Sequence, residues 1–451
     1  MHSGNDRPLR QVAPLIFAAG NGLLDRRLFL RGGFAFGTIA LLPAAVAAAE
    51  GVPGLDPRPK WMREPGAEFK PYGAPSAHED EVVRFPSPNR VMRNNGASWT
   101  PLHLLEGTIT PSGLHFERHH NGVPAIDPAQ HRLLIHGMVA RALEFSVSDL
   151  LRYPLRSQMC FIECAGNSNA GWNRTPSTAQ AGYFHGLASC SEWTGIPLGT
   201  LLQEAQADPR AQWLIAEGAD AFAMHISIPL EKALDDGMLA LYQNGERLRP
   251  ENGYPLRLIL PGWEGVLSVK WLRRLELTDR PAMARNETAR YTELLPSGKA
   301  RMFDFVMEAK SLITSPSSGM VLRQRPGLYQ ITGLAWSGRG RIRQVDVSAD
   351  GGHTWAAAEL QEPVLPKCFT RFRIPWQCSG ARAILKSRAT DQTGYVQPER
   401  KQLIAERGRQ GFYHYNAIVN WAVDENGTVS HVYDVDDENL GDHPAVDAGW
   451  D

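Results

Sequence analysis

The sequence has few cysteines and no cysteine motif. Its 451 residues include five Cys, and no two of them stand as Cys-x-x-Cys. That excludes a disulfide-stapled scaffold and argues against a zinc ribbon or an attached c-type haem. An excess of either charge is also missing. Lys and Arg number 47 against 48 Asp and Glu, a formal charge of −1, so the basic footprint of a general nucleic-acid binder is absent. No P-loop and no G-x-G-x-x-G opening a strand–helix unit occurs, and neither does H-E-x-x-H or G-x-S-x-G. What remains is 43% hydrophobic and 21% charged residues, the balance of a soluble globular protein of about three units. No internal repeat is visible.

The N-terminal region reads as an address. Asp25–Arg31 is DRRLFLR, and the uncharged run Gly33–Ala49 follows and closes on Ala47-Ala48-Ala49. A twin arginine, a short apolar stretch and a small-residue cleavage site describe an export leader over residues 1–49. This predicts a periplasmic protein exported by the twin-arginine pathway, with a start codon that lies downstream of Met1. The run is shorter than the roughly 20 apolar residues of a membrane span, so no membrane association is expected once the leader is removed.

Residues 50–105, rich in Pro, Gly, Asn and charge, read as an extended arm with little core of its own. Between 106 and 285 strand-like and helix-like segments mix. RLLIHG (132–137), WLIAEG (213–218) and PLRLILPG (255–262) read as strands. TGIPLGTLLQEA (194–205) reads as a helix opened by Thr194 and Pro197, and PLEKAL (229–234) as a short one. The fold class is α+β. From 308 to 430 only strands are expected. Phe372, Ile374 and Trp376 alternate with Arg371, Arg373 and Pro375, and Gly351-Gly352 marks a hairpin, as in a β-sandwich. After Ala422 come nine acidic residues and no Lys or Arg, and 431–451 reads as a solvated acidic tail.

Glu163-Cys164-Ala165-Gly166-Asn167 is the sharpest local feature. Its small residues let a bulky ligand approach the backbone, and a thiolate there suits a soft metal. A buried inert thiol or half of a disulfide is equally compatible with these residues alone. Cys368 and Cys378 flank a strand-like run and are candidates for a bridge. Arg118, Arg257 and Lys270 fall beside turns, as cations that hold oxyanions do.

Taken together, FERHHNGVP (116–124), ECAGN (163–167), SEWTGIPL (191–198), AEGAD (216–220), NGYPLRLILPG (252–262) and SVKW (268–271) closely resemble the sulfite oxidase family of molybdopterin enzymes. Within it they are most similar to the molybdenum subunits of the periplasmic Sox sulfane (sulfite) dehydrogenases. The resemblance implies a mixed α/β molybdopterin-binding domain followed by an immunoglobulin-like dimerisation domain. It also implies one molybdenum per chain on molybdopterin, with Cys164 as metal ligand. It makes Phe116, Glu117, Arg118, His119, His120, Asp220, Asn252, Arg257, Ser268, Val269 and Lys270 cofactor-binding residues. Arg118 is then also catalytic at the oxyanion site, together with Tyr183 and Tyr291.

Two departures stand out. Animal and plant members carry Arg-Arg after the Cys-Ala-Gly-Asn motif, where this chain has Ser168-Asn169, so Arg174 is expected to fold back as the second catalytic cation. Asn252 stands where a cofactor-binding His is usual. The implied activity is oxidation of carrier-bound sulfane sulfur or sulfite by oxygen-atom transfer. With no C-x-x-C-H, no haem is expected in this chain, and electrons pass to a c-type cytochrome subunit. A sulfur-carrier protein is the second expected partner, and a homodimer or a heterotetramer with the cytochrome the assembly. The alternative is a free-standing sulfite:cytochrome c oxidoreductase that makes sulfate.

Overall fold

The computed structural model describes residues 17–25, 59, 62, 64–89, 92–409 and 411–434. The twin arginine, the apolar run and the tail beyond 434 lie outside the described residues. Among those described, no helix is long and apolar enough to cross a membrane.

Two sheets and short helices build the first domain. In one sheet, strands His225–Pro229, Trp213–Gly218, Leu272–Thr278, Arg132–Gly137 and Leu143–Ser146 lie in that order, with one parallel pairing, Leu272–Thr278 on Arg132–Gly137. The other orders Glu246–Arg247, Met238–Gln243, Ala188–Pro197 and Arg156–Glu163, with Arg257–Ile259 also paired to Met238–Gln243. Leu133, Ile135, Leu214, Ile228, Leu241 and Leu258 fill a core between them, and helices Leu198–Glu204 and Leu230–Asp236 pack there through Leu201, Leu202 and Ala233.

The predicted helix at 194–205 begins only at Leu198. Thr194, Gly195 and Ile196 instead continue the strand Ala188–Pro197. A Cβ at Gly195 would lie 1.9 Å from the Leu239 carbonyl of the neighbouring strand. The glycine therefore serves close strand approach rather than a helix start.

The arm is also more structured than its composition implies. Its end forms Phe85–Pro88 and Gly96–Trp99, which pair with each other and with Glu117–His119. Ala97 and Trp99 are buried in the cluster that contains Cys164.

The second domain is a sandwich of antiparallel strands. One sheet holds Lys310–Ser315, Gly327–Trp336 and Thr370–Cys378, the other Ile342–Ser348, Ala383–Asp391, Asn420–Val423 and Val429–Val432. The predicted alternation holds for Phe372, Ile374 and Trp376, which face the core. Arg371 is nevertheless only 1% exposed. Segment 105–107 covers that face, and the guanidinium donates to the carbonyls of Leu105 (3.0 Å) and Gly107 (3.1 Å).

Residues 17–25 lie within the span 1–49 read as a leader, upstream of its twin arginine. They form a hairpin, Phe17–Ala19 with Leu23–Leu24, laid against Thr370–Cys378. Leu23 is fully buried, and the carbonyls of Asn21 and Gly22 accept from Trp376 Nε1 (2.7 Å) and the Gln377 amide (2.8 Å). Gly22 has φ +90° and no room for a Cβ, which would meet the Gln377 carbonyl at 2.0 Å. A leader motif downstream hid this turn.

All five cysteines are free thiols. Cys378 receives a bond from Arg325 Nε (3.4 Å), and Cys368 donates to the Met159 carbonyl (2.9 Å). The two ends of the strand thus point into different surroundings, and the candidate bridge does not form.

Candidate active site

Cys164 follows directly on the strand Arg156–Glu163. The turn is stapled from inside. The Cys164 amide donates to the Leu187 carbonyl (2.9 Å), the Asn167 amide to the Cys164 carbonyl (2.8 Å), and Asn167 Nδ2 to Glu163 Oε1 (2.9 Å). Behind it, Glu163 also takes Lys310 Nζ (3.1 Å) and Trp336 Nε1 (2.7 Å), both from the second domain. Lys310 and Glu163 are both about 2% exposed. A buried pair that loses one partner leaves an uncompensated charge, at a cost of about 3–5 kcal/mol. Lys310→Met is therefore expected to lower the denaturation midpoint sharply, and Lys310→Met with Glu163→Gln to recover part of the loss.

Cys164 lies on the floor of a cleft of about 720 Å³. Of the residues predicted for the site, Phe116, Arg118, His119, His120, Asp220, Arg257, Ser268, Val269, Lys270 and Tyr291 line the same cleft. Burial pushes the Cys164 thiol up to about 11, with Arg118 opposing. It becomes a thiolate near neutrality only where a metal takes the proton's place.

The walls are cationic and short of anions. Arg257 is 4% exposed, and its guanidinium donates to the carbonyls of Ser268 (3.2 Å) and Asn252 (3.0 Å). Burial pulls it down to about 9. Lys270 Nζ donates to the Arg118 carbonyl (3.0 Å) and to His119 Nδ1 (2.7 Å). Burial and the nearby Arg257 hold its ammonium well below the usual lysine range. His119 is held down to about 4 by burial and by Lys270. It is neutral, and its Nε2–H faces Glu117 Oε2 at 3.3 Å. Buried cations bonded to neutral acceptors are a receptor for phosphate or another polyanion. A soft thiol beside them fits a metal on a phosphorylated organic carrier, as molybdopterin is.

Four predicted residues do not line the cleft. Glu117 stands behind His119 and pairs with Arg84. Asn252 is buried beneath Arg257, donating from Nδ2 to Gln243 Oε1 (2.8 Å), while its own Oδ1 is buried without a partner. Tyr183 packs on Phe85, with ring centroids 4.4 Å apart. Arg174 is exposed and lies outside the cavity. Its loop is tied to the second domain, where the Asn173 carbonyl accepts from Arg400 Nη2 (2.9 Å) and Tyr433 Oη (3.0 Å).

The cleft opens into an outer cavity of about 950 Å³, lined by Arg118, Cys164 and Tyr291 together with Phe222, Arg285, Arg290, Phe412 and Tyr413. Arg290, next in sequence to Tyr291, and Arg285 add cations to this outer cavity, where the sequence expects Arg174. Adjacency to a predicted Tyr was the available signal for Arg290. Phe412 and Tyr413 had none, because they approach from the far end of the chain.

Near the cleft, His414 is sandwiched between Glu264 Oε1 (3.0 Å) and Glu308 Oε2 (3.1 Å). Burial pushes Glu308 up, but the His414 imidazolium and Arg407 outweigh it and bring it down to about 2. A carboxylate with a depressed value stabilises above its unfolded value and loses that contribution as pH falls through the folded one. The two carboxylates also hold His414 well above the usual histidine range. Its contribution is full below its ordinary value and is lost only as pH rises through the raised one. Protonation of Glu308 on acid titration should therefore destabilise the fold as pH falls through its depressed value. Glu308→Gln should flatten that limb of the stability–pH curve.

Comparison with known proteins agrees with this site. A family model for an oxidoreductase molybdopterin binding domain matches residues 120–286, and one for a Mo-co oxidoreductase dimerisation domain matches 301–421. The chain is 30% identical to sulfite oxidase of Gallus gallus over 363 residues, 74% of this chain and 79% of that one. It is 32% identical to mitochondrial sulfite oxidase of Mus musculus, covering 67% of this chain and spanning 59% of that enzyme's length. Among solved structures, the sulfane dehydrogenase SoxCD from Paracoccus pantotrophus matches with 44% identity and a TM-score of 0.80, over 83% of this chain and 97% of that one. The protein belongs to the sulfite oxidase family of molybdopterin-binding oxidoreductases.

Proposed function

We propose that this chain is the molybdenum-carrying subunit of a periplasmic sulfur-oxidising dehydrogenase. It would act on sulfane sulfur borne by a carrier protein and pass electrons to a c-type cytochrome subunit, as a homodimer or a heterotetramer with that cytochrome. The observation that carries the reading is Cys164 at the floor of a cleft walled by Arg118, Arg257 and Lys270. The likeness to the sulfane dehydrogenase SoxCD supports the sulfane substrate. The twin-arginine motif at Arg26-Arg27 supports export.

Molybdenum on molybdopterin would supply the oxygen-atom transfer and two-electron chemistry. The chain supplies position and field. Cys164 holds the metal. Arg257, Lys270 and the Ser268–Val269 backbone take the anionic and polar edge of the pterin, and Asp220, whose carboxylate is bonded by the Ala223 and Met224 amides, takes a donor from it. Phe116, His119 and His120 close its flank. Arg118, oriented by Asn95 Oδ1 at 2.8 Å, holds the anionic oxygens of substrate and product. Tyr291 lines the inner cleft and the outer cavity beside Arg118 and Cys164.

The wide outer cavity and the absence of Arg at 168–169 favour a sulfur atom on a peptide arm over a small free anion. The test is steady-state kinetics of the purified holoenzyme with a carrier-bound sulfane donor and with sulfite, each with the co-purifying cytochrome and an unrelated one. A kcat/KM at least tenfold higher for the carrier-bound donor is expected. Fast turnover of sulfite with the unrelated cytochrome would replace this reading with the free-standing sulfite oxidoreductase.

A further inference from the structure

The second domain reaches the cleft through one tripeptide, Phe412–His414, and each residue of it does something different there. Phe412 lines the outer cavity. The Tyr413 ring stacks on Tyr291, with centroids 5.2 Å apart and 20° between planes. His414 donates its own amide to the Ala165 carbonyl (2.8 Å), next to Cys164, while its ring is clamped by Glu264 and Glu308.

The backbone on both sides is strained. Tyr291 has φ +49° and His414 φ +54°. Neither is glycine, and left-handed backbone at such residues persists only where the surroundings over-determine it. At His414 the two carboxylates and the Ala165 bond supply that constraint. At Tyr291 the constraint includes the stacked ring of Tyr413. Without it, the Tyr291 ring loses one wall.

We infer that Tyr413 is a positioning residue that holds Tyr291 over the substrate site, so that the second domain completes the active site of the same chain. The inference rests on the proposed reaction only in assigning Tyr291 to the substrate. The structural half, that Tyr413 fixes the Tyr291 ring, stands apart from it. An aromatic pair at this spacing contributes modestly, and misplacement at the reacting centre magnifies its loss.

The test uses the purified holoenzyme carrying Tyr413→Phe, which keeps the stack and removes the hydroxyl, and Tyr413→Leu, which removes both. Molybdenum per chain is measured first. It should equal that of the wild type, since Tyr413 is outside the cofactor cradle. Expected for Tyr413→Leu is a kcat lower by about tenfold with KM within about twofold, and for Tyr413→Phe, which keeps the stacked ring, a clearly smaller loss in kcat. In parallel, isotope-labelled tyrosine is followed by NMR with the Tyr291 resonance assigned through Tyr291→Phe. That resonance should shift in Tyr413→Phe and broaden or double in Tyr413→Leu. A Tyr291 resonance and a kcat unchanged in both variants would overturn the inference. Should the donor used prove not to be the natural one, the resonance readout still decides the positioning claim.

Discussion

Cys164→Ser is expected to cost the enzyme about three orders of magnitude in turnover, more than the roughly 10–100-fold that follows loss of an outer-shell metal partner. The serine hydroxyl is harder and far less acidic than a thiol, so it is a poor ligand for a soft site. The fold should survive. The turn that presents residue 164 is held by backbone bonds and by Asn167, not by the sulfur. Rates of cytochrome reduction, metal analysis and a thermal denaturation curve check the three parts together. Turnover should collapse, the sulfur-to-metal absorption band should disappear, and the denaturation midpoint should stay near that of the wild type.

The second large effect is expected at Arg118. Its guanidinium lies in both the inner cleft and the outer cavity and is oriented by Asn95. A fixed donor aimed at developing charge in a partly dry site typically contributes 10²–10³ in rate. Arg118→Gln should therefore lower kcat/KM by about 10²–10³, chiefly through kcat, and Arg118→Lys should recover little, because a point charge does not reproduce a planar fork. The comparison with the other two cations is as informative. Arg290 is exposed at the mouth of the cavity, where water and salt screen it, so Arg290→Gln should cost about tenfold, mainly in KM, and less at high ionic strength. Arg174→Gln should change neither constant, since that side chain is outside the cavity. Measured kcat and KM for the three variants separate the structural assignment of the second cation from the one suggested by sequence.

How far the sequence reveals this site depends on the distance over which each part is encoded. Strands of the second domain announce themselves locally. Ile331 and Phe372 each stand between polar neighbours in the sequence, and both are buried. Cys164 was visible as a feature but not as a ligand, because a small-residue turn with one thiol fits several chemistries. Only the ordered set of motifs narrowed it. Groups joined across the domains stayed hidden. Lys310 and Trp336 meet Glu163 across 147 and 173 positions, and Tyr413 meets Tyr291 from the end of the chain. No short pattern marks such partners.

The errors were physical as well. Thr194-Gly195 read as a helix start because Thr caps helices, yet strand pairing to Met238–Gln243 won. Within the span that reads as a leader, Gly20-Asn21-Gly22 is itself a hairpin signal, and the hairpin forms.

X-ray absorption at the molybdenum edge, on wild-type protein and on Cys164→Ser at equal metal content, addresses the central claim most directly. The expected result is one sulfur neighbour fewer in the variant, with the remaining shell intact. An identical sulfur shell in the two proteins, or a wild type with no molybdenum to measure, would contradict it.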